Sequence, residues 1–321
     1  MKSVLLTLSV VLCALLFFCF RERKQSITVS AFNTVCSVHT WSRRNPDKAR
    51  QGVPALLQQY HSLLKAYDPA SELSRLNAAA SEAPFPCSPE MWDVLQMARR
   101  AHELTDGAFD ITVGPLMELW GYHGKRKTLP SEEEVQAALK QVGLPKVIFD
   151  DTAHTVRFTV PGMRLDFGGI AKGYACHIVS AHLLRHGISC FLLDFGGNLC
   201  LSKKAPSGKG TYTIGIRDPN ARQENVTARD LRGVTIATSG NYERSQIIDG
   251  VRVGHIMDPR TGRPGLFFQS ITAITPDATF ADVLSTAIFI GGKPLAEKAM
   301  QRLPGTTFIV VDKDGKLQDW N

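Results

Sequence analysis

The chain has 321 residues, of which 44% are apolar and 21% charged, which is typical of a globular protein with one large domain or two closely packed lobes. It carries a formal net charge of +7, but its Lys and Arg residues are scattered, apart from the clusters Arg21–Lys24 and Lys203-Lys204. Aromatic residues do not interleave with them, so the sequence does not predict a nucleic-acid-binding surface. We expect only a mild attraction for anionic partners or lipid.

The first 24 residues differ from the rest of the chain. Residues 4–20 carry no charge, and the basic stretch Arg21–Lys24 follows them. The pattern is typical of an uncleaved signal anchor, a secretory signal or an atypical lipoprotein signal, with a buried apolar helix as a further alternative. Phe17-Phe18 before Cys19 departs from cleavage and lipoprotein signals, which favours the anchor. We therefore predict a leader at 1–24 and a body at 25–321, held by that leader or a lipid in the cell envelope, on the periplasmic side of the inner membrane.

The seven cysteines include no CxxC pair, and five of them follow the leader in apolar contexts. This favours buried small hydrophobic residues over a metal site or a disulfide framework. A single disulfide in an exported body stays open.

The first half of the chain mixes helices with a few strands. Ser88 followed by Pro89 indicates a helix start, Ser131 with Glu134 is a capping box, and Gly187 can end a helix. In chain order we predict a strand at 27–39, helices at 47–66, 88–104 and 131–143, a hairpin of 146–149 with 155–160, a strand at 164–167 and a helix at 170–185.

The second half is richer in strands. Asp249-Gly250 and Asp314-Gly315 are strong hairpin signals. We predict strands at 189–195, 211–217, 234–238, 246–248, 251–255, 269–275, 307–312 and 317–320, with helices at 278–290 and 294–302. The elements lack a regular βαβ rhythm, so an α+β fold is favoured over a doubly wound one. A domain boundary near residue 145 is possible, but no linker marks it.

Two segments point to chemistry. Asp166–Gly173 predicts a strand that enters a glycine turn and opens a helix, whose N-terminus favours a phosphate. Thr279–Thr286 predicts a helix start that presents Asp282, Ser285 and Thr286 on one face. Oxygen ligands of this kind suit a hard cation when phosphates supply the remaining positions. The structural alternative is a capped helix whose hydroxyls bond back to carbonyls.

Six segments, in order between about residues 30 and 312, resemble the ApbE family of FAD:protein FMN transferases. They are Asp68–Asn77, Asp106–Thr112, Asp166–Tyr174, Asp194–Asn198, His255–Gly262 and Ala281–Thr286. One departure is that the early Met-Gly-Thr of the family is Phe32-Asn33-Thr34 here. A phenylalanine can still stack on a flavin.

The resemblance implies an ApbE-like (T-fold-related), two-lobed α+β domain after the apolar leader, with FAD as substrate and Mg²⁺ as cofactor. It implies that Mg²⁺ is held by Asp282, Ser285, Thr286 and the backbone carbonyl of Gly169. It places FAD against a larger set: Phe32, Tyr67, Ala108, Phe109, Asp110, Asp166, Lys172, His255 and Ile256. Within this set Asp166 is implied to bind the adenosine part. The structural alternatives are a helix-capping Asp166, a solvated Lys172 and a Tyr67 at the edge of the core.

The implied reaction is attack by a threonine hydroxyl of a partner protein on the FMN-side phosphorus of FAD, with AMP as the leaving group. His255 and Asp282 are the candidate catalytic groups, and the sequence does not decide which is the base. The resemblance implies acceptor subunits of Nqr- and Rnf-type redox complexes at the membrane. Two alternatives are a Mg²⁺-dependent FAD pyrophosphatase and a non-catalytic FAD-binding protein of the envelope.

Overall fold

The computed structural model describes residues 22–42, 47–124, 126–221, 223–240, 245–265 and 267–321. The helices within them are α1 Asp47–Leu63, α2 Glu72–Ala79, α3 Pro89–Leu104, α4 Gly114–Leu119, α5 Glu132–Leu139, α6 Ala171–Arg185 and α7 Ala278–Arg302. The strands are β1 Arg23–Ala31, β2 Thr34–Ser42, β3 Phe85–Pro86, β4 Val147–Asp150, β5 Thr155–Phe158, β6 Phe191–Phe195, β7 Asn198–Leu201, β8 Tyr212–Arg217, β9 Asn225–Leu231, β10 Thr235–Gly240, β11 Ser245–Ile248, β12 Val251–Gly254, β13 Phe268–Thr275, β14 Thr307–Asp312 and β15 Leu317–Trp320. The predicted α+β class is confirmed.

An eight-stranded antiparallel sheet forms the centre of the fold, in the order β1-β2-β6-β7-β10-β13-β14-β15. Helices α6 and α7 pack on each other and on one face of this sheet, and α1 packs on α6 and β1. Side chains alternate along each strand, so the other face is covered as well. There the β8–β9 hairpin buries an apolar cluster that includes Ile214, Ile236, Ile274 and Ile309.

A second, smaller part of the fold contains α2 to α5, a three-stranded sheet in the order β3-β5-β4, and the β11–β12 hairpin. The largest apolar cluster joins it to the central sheet, because that cluster includes Leu76 and Leu95 of the smaller part as well as Ile271 and Val283. The two lobes therefore share one core.

The strand predicted at 27–39 is wrong in one respect, because a turn divides it into β1 and β2. Phe32 and Asn33 form this two-residue turn with φ values of 51° and 56°. Turns of this kind require positive φ at both positions and usually contain glycine. Neither residue is a glycine, and only Asn33 is of a type that commonly adopts positive φ, so the turn signal in the sequence is weak.

The strand predicted at 164–167 is also wrong, because the segment joins no sheet. A buried side chain satisfies its backbone instead: Leu165 N–H donates to Oδ1 of Asn77 (2.7 Å), and Nδ2 of Asn77 donates to Leu165 O (2.9 Å). The Asp166 N–H donates to the carbonyl of Ile111 (2.7 Å). The segment is thus pinned to α2 and to the turn after α3.

The predicted helix signals are confirmed. Ser88 caps α3 with Pro89 at its first position, and Ser131 and Glu134 form the capping box of α5. The predicted break between the last two helices lies inside α7, where Gly292 has the non-helical φ of 64°. The Asp249-Gly250 turn joins β11 to β12 as predicted.

The predicted leader lies almost wholly outside the described residues, which begin at Glu22. β1 begins at Arg23, and the Glu22 carboxylate accepts hydrogen bonds from Ser207 N (2.9 Å) and Lys204 Nζ (3.0 Å). Burial raises the pKa of Glu22, but these bonds outweigh it and lower the pKa to about 2. Residues 22–24, at the end of the predicted leader, therefore contact the folded body. None of the described helices combines the length and the hydropathy that a membrane span requires.

The five cysteines within the described residues are free thiols, and all but Cys87 are buried. Cys36 and Cys176 pack in the apolar cluster between the sheet, α1 and α6. Cys13 and Cys19 of the predicted leader lie outside the described residues.

Candidate active site

A cleft of about 340 Å³ opens where the two lobes meet. Its walls come from the β1–β2 turn, the end of α1, the segment after α3, the glycine turn before α6, and the first half of α7. Every residue that the sequence predicted to contact FAD lines it: Phe32, Tyr67, Ala108, Phe109, Asp110, Asp166, Lys172, His255 and Ile256. Gly169, Asp282 and Thr286 of the predicted metal site line it too, whereas Ser285 does not.

Asp282 joins the two motifs that lie about a hundred residues apart in the chain. The residue is only 4% exposed, and its Oδ2 accepts a hydrogen bond from the N–H of Gly173 (3.0 Å). Its Oδ1 lies 3.4 Å from Nζ of Lys172. The approach of α6 to α7 requires a glycine here, because a Cβ on Gly173 would lie 2.7 Å from the carbonyl of Thr279. The helices are therefore packed so that one carboxylate faces one lysine at the cleft wall.

The oxygen donors around Asp282 fit a hard cation. Oγ1 of Thr286 donates to the Asp282 carbonyl (3.2 Å), and a Cβ built on Gly169 would lie 3.4 Å from that same Oγ1. Among the described residues, no group of three His, Cys, Asp or Glu side chains could hold a metal. One carboxylate and one hydroxyl suit Mg²⁺ when phosphate oxygens, a backbone carbonyl and water supply its other ligands. The residues present therefore fit the cation that the sequence predicted.

Ser285 lies behind the cleft wall. Its hydroxyl donates to the Asp282 carbonyl (2.9 Å) and shares a hydrogen bond with Oγ of Ser239 (2.8 Å). Ser239 itself lines the cleft and lies 3.3 Å from Oγ1 of Thr286. Sequence reasoning missed Ser239, because β10 precedes α7 by some forty residues and carries no motif. In this arrangement Ser239 stands between Ser285 and the cleft.

Phe32 is presented to the cleft by its strained turn. A bulky residue rarely adopts a φ of 51°. The Phe32 N–H donates to Nδ1 of His61 (3.0 Å), and the two rings meet edge to face at 5.6 Å. Burial, and then the positive charge of Lys65, lower the pKa of His61. A neutral His61 can accept at Nδ1, so it holds the hairpin turn at the cleft.

Asp166 and Tyr67 form a polar and an aromatic wall at another part of the cleft. Oδ1 of Asp166 accepts a hydrogen bond from the N–H of Gly168 (2.7 Å), and its Oδ2 lies 3.3 Å from Nε2 of His123. The ring of His123 stacks on Tyr67 with the centroids 3.5 Å apart. Burial raises the pKa of Tyr67, so its hydroxyl stays protonated. Sequence reasoning missed His123, because no motif around it links it to Tyr67 or Asp166.

Asp110 is engaged in structural bonds. Its Oδ1 accepts from Thr112 N (2.8 Å) and Thr112 Oγ1 (2.6 Å), and its Oδ2 accepts from Leu144 N (2.9 Å) and lies 3.5 Å from Nε2 of His102. Burial raises its pKa, but the bonds from His102, Thr112 and Leu144 outweigh this and lower it. These bonds explain why an acidic residue, Asp110, stands between the apolar Phe109 and Ile111. The turn that they hold fixes Phe109 at the cleft wall.

His255 follows β12 and lines the cleft, with its ring centroid 6.3 Å from that of Tyr122. The next turn is held by Arg260, whose Nε and Nη2 donate to the two Asp258 oxygens at 2.9 Å each. A hydrogen bond from Gly265 N to the Ile256 carbonyl (2.9 Å) closes the turn onto the strand end. This turn fixes where His255 enters the cleft.

The sequence matches the model of the ApbE family over residues 32–310. This chain belongs to the ApbE family. Two curated relatives are both named FAD:protein FMN transferase. The one from Salmonella typhimurium is 33% identical over 265 residues, which cover 80% of this chain and 75% of that protein. The one from Treponema pallidum is 31% identical over 315 residues, which cover 93% of this chain and 87% of that protein.

Solved structures agree with this assignment of the ApbE fold. The crystal structure of the ApbE protein from Thermotoga maritima matches with a TM-score of 0.84 at 32% identity, covering 93% of this chain and 97% of that one. The flavin transferase ApbE from Vibrio cholerae matches with a TM-score of 0.81 at 27% identity over the same shares of the two chains. The predicted ApbE-like two-lobed domain is thereby confirmed.

Proposed function

We propose that this chain is a Mg²⁺-dependent FAD:protein FMN transferase, which moves FMN from FAD to a threonine hydroxyl of an acceptor flavoprotein and releases AMP. The observation that carries this proposal is that Lys172 of α6 lies beside Asp282 of α7, and that both line one cleft together with Thr286. A dinucleotide with two ring systems suits a cleft that is lined by Phe32 and Tyr67 and, beside them, by Lys172, Asp282 and Thr286. The names of the relatives support the same activity.

The start of α6 is where the pyrophosphate of FAD would bind. The N-cap residue Ile170 makes no side-chain cap to this helix, and Asp282 accepts the Gly173 N–H of its first turn. Gly168, Gly169, Ala171 and Lys172 line the cleft at this helix start. Helix N-termini attract phosphates through unpaired N–H groups and the helix dipole. Lys172, whose side chain is 22% exposed, adds a positive charge within the same turn. These groups would orient the two phosphates between the adenosine and flavin ends.

The cation ligands would be the Asp282 carboxylate, the Thr286 hydroxyl and the Gly169 carbonyl. Ser285 was predicted as a further ligand, and its place behind Ser239 favours a supporting role through that serine. When bound, Mg²⁺ would neutralise negative charge that develops on the phosphate oxygens during transfer. Asp282 is held for this role by the Gly173 N–H, which fixes its orientation.

In the proposed reaction the acceptor threonine oxygen forms a bond to the FMN-side phosphorus. The bond from that phosphorus to the bridging oxygen breaks, and AMP leaves with the bridging oxygen. The threonine proton passes to a base of the enzyme. Both Asp282 oxygens already face a donor, Gly173 N–H or Lys172, which favours His255 as the base. The product is a phosphoester between FMN and threonine.

The acceptors in this proposal are flavoprotein subunits of Nqr- or Rnf-type redox complexes. Either the predicted leader at 1–24 or a lipid attached to that leader would hold the enzyme at the periplasmic side of the inner membrane. Such an acceptor is accessible there. The charge of +7 would support contact with an anionic membrane surface.

The test is transfer of flavin fluorescence to an acceptor. The full-length chain, FAD, Mg²⁺ and an Nqr- or Rnf-type acceptor domain are mixed, and the denatured acceptor is inspected for covalent flavin on a gel. We expect a fluorescent acceptor with the wild type and none with Asp282→Ala. Asp93→Ala, which changes an exposed aspartate of α3, is the control and should behave like the wild type.

A non-fluorescent acceptor together with free FMN and AMP would instead indicate a pyrophosphatase, and intact FAD would indicate a binding protein.

A further inference from the structure

We propose that His123 occupies the ring-binding position between Tyr67 and Asp166 in the FAD-free protein, and that the adenine end of FAD must displace it. This inference rests on the proposed function, since it concerns how FAD enters the same cleft. It makes His123 an internal competitor that sets the affinity for FAD, although no motif of the sequence points to this residue.

The contacts of His123 are those expected of a bound ring. Its imidazole stacks on the Tyr67 ring with a centroid distance of 3.5 Å and an interplanar angle of 24°. Its Nε2 lies 3.3 Å from Oδ2 of Asp166. At that separation no second ring fits on the same face of Tyr67. The guanidinium of Arg164 lies over the Tyr67 ring as well, 5.7 Å from its centroid.

Adenine shares the chemistry of this imidazole. Both are flat nitrogen heterocycles that can stack on a phenol ring, and both can place an N–H toward a carboxylate. An ionised Asp166 only accepts hydrogen bonds, and the exocyclic amino group of adenine supplies a donor. One oxygen of Asp166 is already held by the Gly168 N–H, which leaves the oxygen near His123 for the ligand. Ring and carboxylate therefore form one site, and His123 fills it.

The chain around His123 allows it to leave. Trp120 is anchored, because its Nε1 donates to the carbonyl of Gly262 (2.8 Å). Gly121 follows with a φ of 78°, and a Cβ there would lie 2.9 Å from that of Arg126. Gly124, on the other side of His123, has open space around its Cβ position. The Tyr122 hydroxyl also anchors this segment by donating to the carbonyl of Val253 (2.8 Å). The freedom therefore lies on the Gly124 side, where a change of backbone torsion, together with rotation of the His123 side chain, can move the ring without disturbing these anchors.

If His123 blocks the site in part of the molecules, the apparent Kd for FAD equals the intrinsic Kd divided by the fraction of molecules whose site is open. If the blocked form holds about nine-tenths of the molecules, removal of the ring tightens binding by about tenfold. The effect falls on any ligand that carries the adenine ring, and a ligand without that ring is unaffected.

The test is equilibrium binding to the full-length chain without acceptor. FAD binding is followed by flavin fluorescence, and AMP and FMN are titrated separately by calorimetry. His123→Ala removes both contacts, His123→Phe keeps the stack but loses the nitrogen, and His177→Ala is a matched control at an exposed position of α6. Melting temperatures verify that each variant is folded.

We expect His123→Ala to bind FAD and AMP several-fold more tightly than the wild type, about tenfold at the occupancy above, with unchanged FMN binding. His123→Phe should fall between the two, and His177→Ala should match the wild type. Weaker or equal FAD binding by folded His123→Ala would overturn the proposal, as would tightening for FMN alone. A wild type that binds no FAD would overturn the proposed function itself and the displacement with it.

Discussion

Nζ of Lys172 lies 3.4 Å from Oδ1 of Asp282, although 110 positions separate the two residues in the chain. The lysine thus partly neutralises the carboxylate that we propose as the main cation ligand. A cation held by Asp282 would supply the same neutralisation, and Lys172 would then face a phosphate.

Replacing Lys172 with methionine should destabilise the protein in the absence of Mg²⁺. The buried Asp282 carboxylate loses a charged partner, which costs about 1–3 kcal/mol of the free energy of unfolding. Millimolar Mg²⁺ should restore more stability to this variant than to the wild type. Urea unfolding with and without Mg²⁺ measures both effects. Arg229→Met is the control, because its ion pair with Asp319 is at the surface and should contribute little.

Gly173→Ala should be among the most damaging small substitutions at the site. Its Cβ would lie 2.8 Å from that of Asp282 and 2.9 Å from the Ala278 carbonyl, so α6 and α7 must separate. We expect a loss of about 1–3 kcal/mol in the free energy of unfolding and a loss of transfer activity, because Asp282 shifts. Thermal melting and a transfer assay test this. Gly210→Ala, which meets no atom within 4 Å, should be close to neutral.

Thr286 and Ser285 should respond differently to loss of their hydroxyls. Thr286→Val removes an oxygen that lines the cleft, so the Mg²⁺ concentration for half-maximal activity should rise by well over tenfold, because loss of an outer-shell partner alone costs about tenfold or more. Ser285→Ala removes a hydroxyl that bonds Ser239, so it should raise the Mg²⁺ requirement clearly less than Thr286→Val does. Equal rises for both variants would contradict the supporting role of Ser285 and favour a direct ligand, as the sequence first predicted.

Asp110 should make stability depend on pH. Its pKa is lowered in the folded state by bonds from His102, Thr112 and Leu144. The ionised carboxylate therefore stabilises the fold above the ordinary aspartate pKa of 3.8, and that contribution is lost as pH falls through the lower folded value. Asp110→Asn should be less stable than the wild type at pH 7, and the difference should shrink below pH 3.8. A constant difference from pH 7 to pH 2.5 would contradict this assignment.

Much of the fold follows from local signals in the sequence. Capping residues such as Ser88 and Ser131 satisfy backbone N–H groups within one turn, and Asp-Gly pairs supply positive φ, so both act over a few residues. The spacing of Asp282 and Thr286 likewise determines that they share a helical face. Such features need no tertiary information, and the structure confirms their geometry.

The features that were missed depend on contacts between distant segments. The Phe32-Asn33 turn is held by His61 of α1, and Asn77 of α2 replaces the sheet partner that Leu165 was predicted to have. His123 comes to Tyr67 and Asp166 only through the packing of the turn after α4. Hydrophobic patterns and residue propensities depend on residues that are close in the chain. His61, Asn77 and His123 instead contact residues that are distant in the chain and close only in the fold.

The most direct test of the account is the mass of an acceptor domain after incubation with the full-length chain, FAD and Mg²⁺. The proposed transfer predicts a gain equal to one FMN, located on a single threonine by peptide sequencing, with an equal amount of AMP released. The gain should be absent with Asp282→Ala and present with Asp93→Ala. An unmodified acceptor alongside free FMN and AMP would contradict transfer to protein and would identify water as the attacking group.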